Sequence, residues 1–501
     1  GVFEDRKVFV EGLNLASGFE LGYGGVWIGA APQLLFLPDR DGDDVPDGPP
    51  QVLLDGFGYQ DTHETLNNFT WGPDGWLYGL QGVFNESRIG VPGASESDRR
   101  VMRAGVWRYH PVNKRFEVYA HGGSNQWGLD YDRLGQWFMT HCRSFWGGGP
   151  TTHVLQGGHY WNQAHAHYPD FIEPYPLEAF SDFRQCLPAS AKYGHGEGGA
   201  GLPGSRAIYG GHSHVGTLIY QGDQWPEPFR NRLYTHNLHG RQINVQVNVE
   251  DGASIETRHA GQDFLYHDDP SYVAVDLKTG PDGSVYINDW VDLQHCHHPN
   301  VDQWQRQNGR LYRVVHEAHY KPHLVDLNRK SDRELAWLHL HQNEWYVRMA
   351  RRLLTERAAV NGSIASEALV VLRNLSVEHA NVNRRLRALW TLHGVGGVEA
   401  SHWSGYFNDS SAEVRAWAVE LAQYALEPTP ALAGRLVQLA LSESSAMVLV
   451  RLAAITSLLP EEEQWSILKS LVQKVAHQED GVFRSMTWFA LAQAMQENPQ
   501  R

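Results

Sequence analysis

The sequence is poor in cysteine, in positive charge and in long apolar runs, and each shortage excludes a class of protein. Cys142, Cys186 and Cys296 are the only cysteines, which excludes a dense disulfide framework, and no CxxCH haem-attachment motif is present. Lysine and arginine total 42 against 57 aspartates and glutamates, and the formal net charge of -15 argues against binding to duplex nucleic acid. No apolar run reaches the roughly 18–20 residues that span a bilayer, so we expect no membrane span in this chain.

Glycine and aromatic residues are plentiful by contrast. The chain of 501 residues contains 50 glycines, 18 tryptophans and 27 histidines. Glycine exceeds its usual share of ~7%, and together with the aromatic residues it favours tight turns on a β scaffold. The length predicts roughly two to four domains at ~100–200 residues each. No signal-peptide pattern of a charged segment followed by an apolar core is visible after Gly1.

Residues 1–318 have the texture of a β protein. Short runs of Val, Tyr, Phe and Trp alternate with clusters of Gly, Pro, Asp and Asn. A glycine turn followed by an alternating aromatic and aliphatic strand recurs at 24–30, 72–79, 134–140 and 280–289. The first three turns lie about 50–60 residues apart, near the ~40–50-residue period of β-propeller blades. This spacing predicts an all-β six-bladed propeller, with a β-sandwich as the alternative.

Residues 319–501 show helical periodicity instead. Leu, Ala, Glu and Arg dominate, and a pattern such as VRAWAVEL recurs with marker arginines about 34 residues apart. That spacing is close to the ~33–47 residues of helical-repeat solenoids, so we expect an all-α HEAT-like helical-repeat domain. A plain helical bundle is the alternative, and the expected role is a structural buttress or a docking surface. The marker arginines are Arg348, Arg387, Arg415, Arg451 and Arg484.

The sharpest local motif is DRDGDDVPDG at residues 39–48. Its acidic side chains fall at positions one, three, five and nine of a calcium loop, and the carbonyl of Val45 falls at position seven. Asp44 stands where the tight turn prefers glycine, and Pro50 stands where an EF-hand has its bidentate glutamate. We expect a partial, structural Ca²⁺ loop, with a solvated acidic turn as the alternative. The expected ligands are Asp39, Asp41, Asp43 and Asp47.

Asp61, His63 and Glu64 form a second constellation, just before the strand that leads into GPDGWLYG. A histidine beside carboxylates can act as a general base near neutral pH. The alternative is a structural histidine on the surface or in the core.

Further histidines lie in glycine-rich surroundings, partly within residues 141–225, which fit the blade period poorly and which we interpret as insertions on one face. Two histidines at alternate positions of a strand share one face, as some metal sites require, but no spacing matches a zinc signature. The commoner alternative is hydrogen bonding in a polar pocket, which with the many tryptophans would suit a carbohydrate. These histidines are His165, His167, His212, His214, His236, His239, His295, His297 and His298.

The order of these motifs resembles the six-bladed quinoprotein sugar dehydrogenases of the soluble glucose and sorbosone dehydrogenase type. It is more similar still to the membrane-bound dehydrogenase propellers that are followed by HEAT repeats and a c-type haem segment. Four stretches carry the resemblance, which covers about 60% of the chain: residues 12–30, 61–82, 212–244 and 275–314.

The resemblance implies a role for each matched residue. His63 would be the general base that takes the proton of a sugar hydroxyl while hydride passes to pyrroloquinoline quinone (PQQ), with Asp61 or Glu64 orienting it. The Arg-Asn pair of the family's quinone site reads Ser124-Asn125 here. The cofactor contacts implied by the resemblance are Gln81, Asn125, His214, His239, Arg241 and Arg310.

The leading interpretation is therefore a periplasmic or otherwise exported oxidoreductase that uses Ca²⁺ and PQQ. Its substrate would be a sugar, a polyol or a related carbohydrate, and its electrons would pass to a c-type cytochrome or another separate acceptor. The alternatives are a propeller glycan hydrolase or lyase that uses histidine and carboxylates, and a non-catalytic interaction scaffold.

Overall fold

A computed structural model describes most of the chain. It covers residues 6–142, 151–162, 214–238, 240–260, 264–293, 305, 307–425 and 431–498. Several predicted residues lie outside this part, namely Cys186, Cys296, His165, His167, His212, His239, His295, His297 and His298.

The described part of residues 1–318 consists of antiparallel sheets that follow one another along the chain. Sheet 1 contains β1 (Ala16–Leu21), β2 (Gly25–Ala30), β3 (Gln33–Pro38) and β4 (Gln51–Leu54). The chain continues with β5 (Asn67–Trp71), β6 (Leu77–Gln81), a separate hairpin of β7 (Ser87–Ile89) and β8 (Arg100–Met102), then β9 (Gly105–Tyr109) and β10 (Phe116–Gly123). Sheet 2 is formed by β5, β6, β9 and β10.

Three more sheets complete the described β part. Sheet 3 contains β11 (Gln126–Tyr131), β12 (Trp137–His141) and β13 (Thr151–Val154), and β14 (His159–Asn162) pairs in parallel with β10 of sheet 2. Sheet 4 contains β15 (His214–Ile219), β16 (Leu233–Asn237), β17 (Gln242–Asp251) and β18 (Ser254–His259), and β19 (Leu265–Tyr266) also pairs with β17. Sheet 5 contains β20 (Ala274–Thr279), β21 (Val285–Asp289) and β22 (Arg310–Val314).

The first strand of each sheet lies next to the first strand of the next sheet. β1 packs against β5, β5 against β11, β11 against β15, and β15 against β20. Each sheet then runs outward as an antiparallel meander, an arrangement that fits the predicted propeller-like fold. Five such sheets lie within the described residues, and the count of six blades stays a prediction.

The sequence pattern explains these sheets. Gly75 and Gly135 adopt φ values of 84° and 75°, the left-handed conformation that a tight turn requires and that favours glycine. Alternate side chains of neighbouring sheets then fill the space between them. Trp27, Phe69 and Trp107 are almost completely buried in the cluster between sheets 1 and 2.

The rest of the chain is helical, as predicted. Several helices begin at a side-chain cap, and the Ser331 capping box starts the first of them. Successive helices stack on one another, while assignment to the HEAT class stays a prediction. The helices are α1 (Asp332–Trp337), α2 (Glu344–Asn361), α3 (Ser366–Glu378), α4 (Val382–Gly394), α5 (Trp403–Phe407), α6 (Ala412–Ala422), α7 (Ala431–Ser442), α8 (Ala446–Ile455), α9 (Glu461–Val475) and α10 (Gly481–Glu497). Within the described residues, none of these helices is both long and apolar enough to cross a bilayer.

The helical part packs directly against one end of the sheet assembly. Trp417 donates its indole N–H to the Leu134 carbonyl at 2.7 Å, in the glycine turn between β11 and β12. Arg348 of α2 binds the Asp130 carboxylate at 2.8 Å, and Arg352 donates to the Leu21 carbonyl at 2.7 Å. Because these contacts involve the ends of β1 and β11, the helical part covers the end of the assembly at which the inner strands finish.

Candidate functional site

The predicted catalytic residues lie at the opposite end, where the inner strands begin. His63 belongs to a one-turn 3-10 helix (Thr62–Glu64) immediately before β5. Asn125 comes directly before β11, in the left-handed conformation with a φ of 44°. Both residues line one cavity of about 2460 Å³ that extends through the middle of the assembly to α2.

Asp61 and His63 form a hydrogen-bonded pair at the edge of this cavity. Asp61 caps the short helix by accepting the His63 backbone N–H at 3.0 Å, and its Oδ1 atom lies 2.7 Å from His63 Nδ1. The hydrogen bond to Asp61 raises the pKa of His63, although partial burial opposes the rise. The same bond lowers the pKa of Asp61 to about 2. This arrangement fixes the ring and makes His63 a stronger base than an isolated histidine.

Glu64 points away from the cavity into the protein. Its carboxylate is fully buried and accepts the backbone N–H groups of Val83 at 2.5 Å and Phe84 at 3.1 Å. Asn125, with its amide nitrogen turned toward Glu64, donates to both carboxylate oxygens. Burial raises the pKa of Glu64 to about 8, and the neighbouring charge of Asp61 adds to the rise. Glu64 therefore links the His63 turn to Asn125 and to the backbone of Val83 and Phe84.

Two further predicted residues are buried beside this end rather than in the cavity wall. Gln81 is completely buried and donates to the Gly58 carbonyl at 3.3 Å, beneath the loop that leads to Asp61. His214 begins β15, is also completely buried, and places Nε2 3.2 Å from the Asn244 side-chain oxygen of the same sheet.

Arg310 is held by carboxylates. Its guanidinium contacts Asp269 at 2.6 Å and Asp289 at 2.6 Å, and it reaches Ser271 at 3.3 Å. The contact with Arg310 holds the pKa of Asp269 well below its usual range. Arg310 is thus neutralised by its own neighbours.

Arg241 is also engaged locally, in the turn between β16 and β17. It donates to the Asp268 carbonyl at 3.1 Å and to the Tyr266 hydroxyl at 3.2 Å. Neither Arg241 nor Arg310 is among the described residues that line the cavity.

The lysine and arginine side chains that line the cavity determine whether PQQ, the implied cofactor, fits there. A tricarboxylate such as PQQ needs several cationic groups around it. Among the described lining residues, three arginines lie at the α2 end, Lys278 lies beside Asp276, and Lys7 and Arg40 contact the acidic loop. The three arginines are Arg348, Arg351 and Arg352. The described residues next to His63 include no lysine or arginine, so they do not fit the carboxylate groups of PQQ.

The acidic loop follows β3. The carboxylate oxygens of Asp39, Asp41 and Asp43 come within 4.8 Å of one another. Asp47 instead accepts the backbone N–H of Arg40 at 2.9 Å and lies 3.4 Å from its guanidinium. Asp44 has the left-handed conformation, with a φ of 62°, that the predicted calcium loop requires at this position.

Sequence reasoning did not identify two residues that hold the His63 turn. Trp127 donates its indole N–H to the His63 carbonyl at 2.6 Å and also lines the cavity. Asn85 is completely buried and bonds to the backbone of both Asp61 and Glu64. Residues 125–128 read Asn-Gln-Trp-Gly, a polar and aromatic segment that is the sequence signal for Trp127, whereas no motif in the sequence singles out Asn85.

Comparisons with known proteins give one family and several remote structures. Residues 1–318 match the model of a family described as a domain of unknown function (DUF7133), and no curated protein matches the chain. An oxidoreductase (glucose dehydrogenase) from Thermus thermophilus is 14% identical, with 61% of this chain and 98% of that chain covered and a TM-score of 0.30. PQQ-bound aldose sugar dehydrogenase from Streptomyces coelicolor is 12% identical, with 62% and 96% covered and a TM-score of 0.27.

The PQQ domain of pyranose dehydrogenase from Coprinopsis cinerea is also 12% identical. The match covers 56% of this chain and 91% of that chain, with a TM-score of 0.25. Similarity at these TM-scores does not define the chemistry of the site.

Proposed function

The chain belongs to the DUF7133 family, and we propose that it is a carbohydrate-directed oxidoreductase in which His63 accepts the proton of the hydroxyl group that is oxidised. The observation that carries this proposal is the Asp61–His63 pair at the edge of the central cavity. Asp61 binds Nδ1 and fixes the ring, and a neutral imidazole held in this way can take a proton from a substrate hydroxyl.

The neighbouring cavity wall suits a sugar or a polyol. Phe84 and Trp127 line the cavity beside His63 and offer aromatic surface to the apolar face of a sugar ring. Asn125 lines the same wall and adds a polar group. A wall of this kind binds a ligand that has both an apolar face and hydroxyl groups.

The proposed reaction separates a proton from a hydride. The substrate hydroxyl gives its proton to His63, the carbinol carbon gives its hydride to a two-electron acceptor, and a carbonyl group forms. PQQ is the acceptor implied by the sequence resemblance, but the described residues beside His63 offer no cation for its carboxylates, so the proposed role of His63 does not depend on PQQ. A c-type cytochrome as the next carrier and export to the periplasm are further proposals. Ca²⁺ at Asp39, Asp41 and Asp43 is a further proposal, with a structural role.

A hydrolase or lyase that pairs histidine with carboxylates is the second candidate. Its support is the raised pKa of Glu64, about 8, which would make this side chain a protonated acid near neutral pH. Glu64 is completely buried and is absent from the described cavity lining, so it has no direct path to a substrate. This placement favours the oxidoreductase.

The test incubates the protein with PQQ, Ca²⁺ and a dye acceptor across a panel of sugars and polyols. Dye reduction that requires both sugar and protein, and that His63→Gln slows by roughly 10²–10⁴-fold, supports the proposal. Release of product from a glycan without any acceptor would instead identify a hydrolase or lyase. Saturable sugar binding without turnover in either assay would indicate a binding scaffold.

A further inference from the structure

The turn that carries His63 is short and has few bonds of its own. The 3-10 helix spans only Thr62–Glu64, and the Asp61 carboxylate is used both to cap it and to bind the His63 ring. Any relaxation of this turn changes the distance between Asp61 Oδ1 and His63 Nδ1. The pair therefore depends on contacts from outside the turn.

Asn85 supplies three of these contacts from the loop between β6 and β7. Its side-chain oxygen accepts the Asp61 backbone N–H at 2.8 Å. Its side-chain nitrogen donates to the Asp61 carbonyl at 2.9 Å and to the Glu64 carbonyl at 3.0 Å. The amide is completely buried. If its oxygen and nitrogen were exchanged, a donor would face a donor at one contact and an acceptor would face an acceptor at the other two, so its orientation is fixed.

We propose that Asn85 is a positioning residue for the Asp61–His63 pair, because its one buried amide fixes both ends of the turn that presents His63 to the cavity. The meaning of this role for turnover rests on the proposed function, whereas its effect on the geometry of the pair does not. Asn85 itself does not line the cavity among the described residues, so it acts through Asp61 and His63 rather than on substrate.

Loss of the Asn85 side chain then has a specific consequence for His63. Within the described residues, Asp61 is the charged group that shifts the pKa of His63, and the hydrogen bond to Asp61 is the main cause of the rise. A turn that is free to relax lengthens this hydrogen bond for part of the time. The pKa of His63 should then fall toward the ordinary ~6.5.

The decisive experiment is an NMR titration of histidine-labelled protein, in which His63→Gln assigns the His63 signal. Asn85→Ala should lower the pKa of His63 relative to the unmodified protein. Ser87→Ala is the matched control, because Ser87 is equally buried and binds the same preceding loop at Gly58 N (2.9 Å) without touching the turn. An unchanged His63 pKa in Asn85→Ala, or an equal fall in both variants, would overturn the proposal.

Kinetics provide a second readout if the chain oxidises a sugar. Asn85→Ala should lower kcat/KM by roughly 10- to 100-fold, the scale of a displaced catalytic group, and shift the acidic limb of the pH profile with the NMR pKa. KM should change little because Asn85 does not contact substrate. Should no sugar be oxidised while the NMR result holds, the proposed function fails and the positioning role of Asn85 stands.

Two measurements keep the test valid if Asn85→Ala does not fold. Asn85→Ser retains a small buried polar group but cannot make all three bonds, so the His63 pKa should again fall. In the unmodified protein, the Asp61 amide should exchange slowly with solvent because it donates to Asn85. Rapid exchange of this amide under folded conditions would remove the basis of the proposal.

Discussion

Asp61 holds His63 at two points: its Oδ1 atom accepts the backbone N–H at 3.0 Å and lies 2.7 Å from the ring Nδ1. The two residues are only two positions apart, so a single short helical turn brings the carboxylate and the ring together. Because each partner favours the charged form of the other, the pair predicts how both activity and stability depend on pH.

The first prediction concerns pH. His63 must be neutral to accept a proton, and its pKa is raised, so kcat/KM should rise with pH along a limb that lies above ~6.5. Asp61→Asn should move this limb down toward ~6.5, as measured by pH–rate profiles with the dye acceptor. A limb that stays in place in Asp61→Asn would show that another group titrates.

The pair should also make stability depend on pH, and the contributions of His63 and Asp61 should change with pH in opposite directions. The raised pKa of His63 gives a contribution that is complete below ~6.5 and is lost as pH rises through the folded-state value. The lowered pKa of Asp61 gives a contribution that is present above its ordinary 3.8 and is lost as pH falls toward about 2. Melting temperatures of the unmodified protein and His63→Gln across this range should differ most at mildly acidic pH.

The second prediction concerns His63 directly. His63→Gln should cut turnover by roughly 10²–10⁴-fold, the usual contribution of a positioned general base. Folding should change little at neutral pH, because the side chain is 43% exposed and contributes little packing. Circular dichroism and melting curves provide the control. A purely structural histidine would give the reverse, with a lower melting temperature and turnover reduced only in proportion to the folded fraction.

The β part and the helical part could be predicted because their signals are local. Turn glycines such as Gly75 and Gly135 are required by left-handed backbone, and alternating strands follow each of them. Asp61 and His63 could also be paired from sequence, because residues two apart share one turn. In each case the interacting groups lie within a few residues of one another.

Contacts between distant segments could not be predicted in the same way. Asn85 reaches the His63 turn only because β6 returns the chain to the loop before β5. Arg310 matched a cofactor contact by motif, yet Asp269 and Asp289 arrive from separate segments and bind it. The pairing of a charged side chain depends on which carboxylates the topology brings to it, and a motif does not contain that information.

The third prediction concerns the acidic loop. Three carboxylates whose oxygens come within 4.8 Å repel one another unless a cation neutralises them, so Ca²⁺ should raise the melting temperature and excess EGTA should lower it. Asp41→Asn should weaken this response. Asp44→Asn is the matched control, because Asp44 is outside the cluster and asparagine tolerates the same left-handed backbone. A melting curve that is indifferent to EGTA would count against the site.

The fourth prediction concerns the contact between the two parts of the chain. Arg451 of α8 is 3% exposed and pairs at 2.7 Å with Glu420 of α6, which is 1% exposed. Arg451 also reaches into the sheet assembly, where it contacts the Gln136 side-chain oxygen at 3.1 Å. Removing its charge leaves a buried carboxylate without its partner, so Arg451→Met should destabilise the protein by about 3–5 kcal/mol in urea unfolding.

The repeat pattern of the helices supplies the control for this variant. Arg484 occupies the equivalent marker position but is exposed, so Arg484→Met should change stability by no more than about 0.5 kcal/mol. The double variant Arg451→Met/Glu420→Leu should recover part of the loss, because no unpaired charge then remains buried. The alternative outcome is that the losses of stability in Arg451→Met and Glu420→Leu simply add up in the double variant. In that case the two side chains would not be coupled. The marker arginines would then serve helix packing alone.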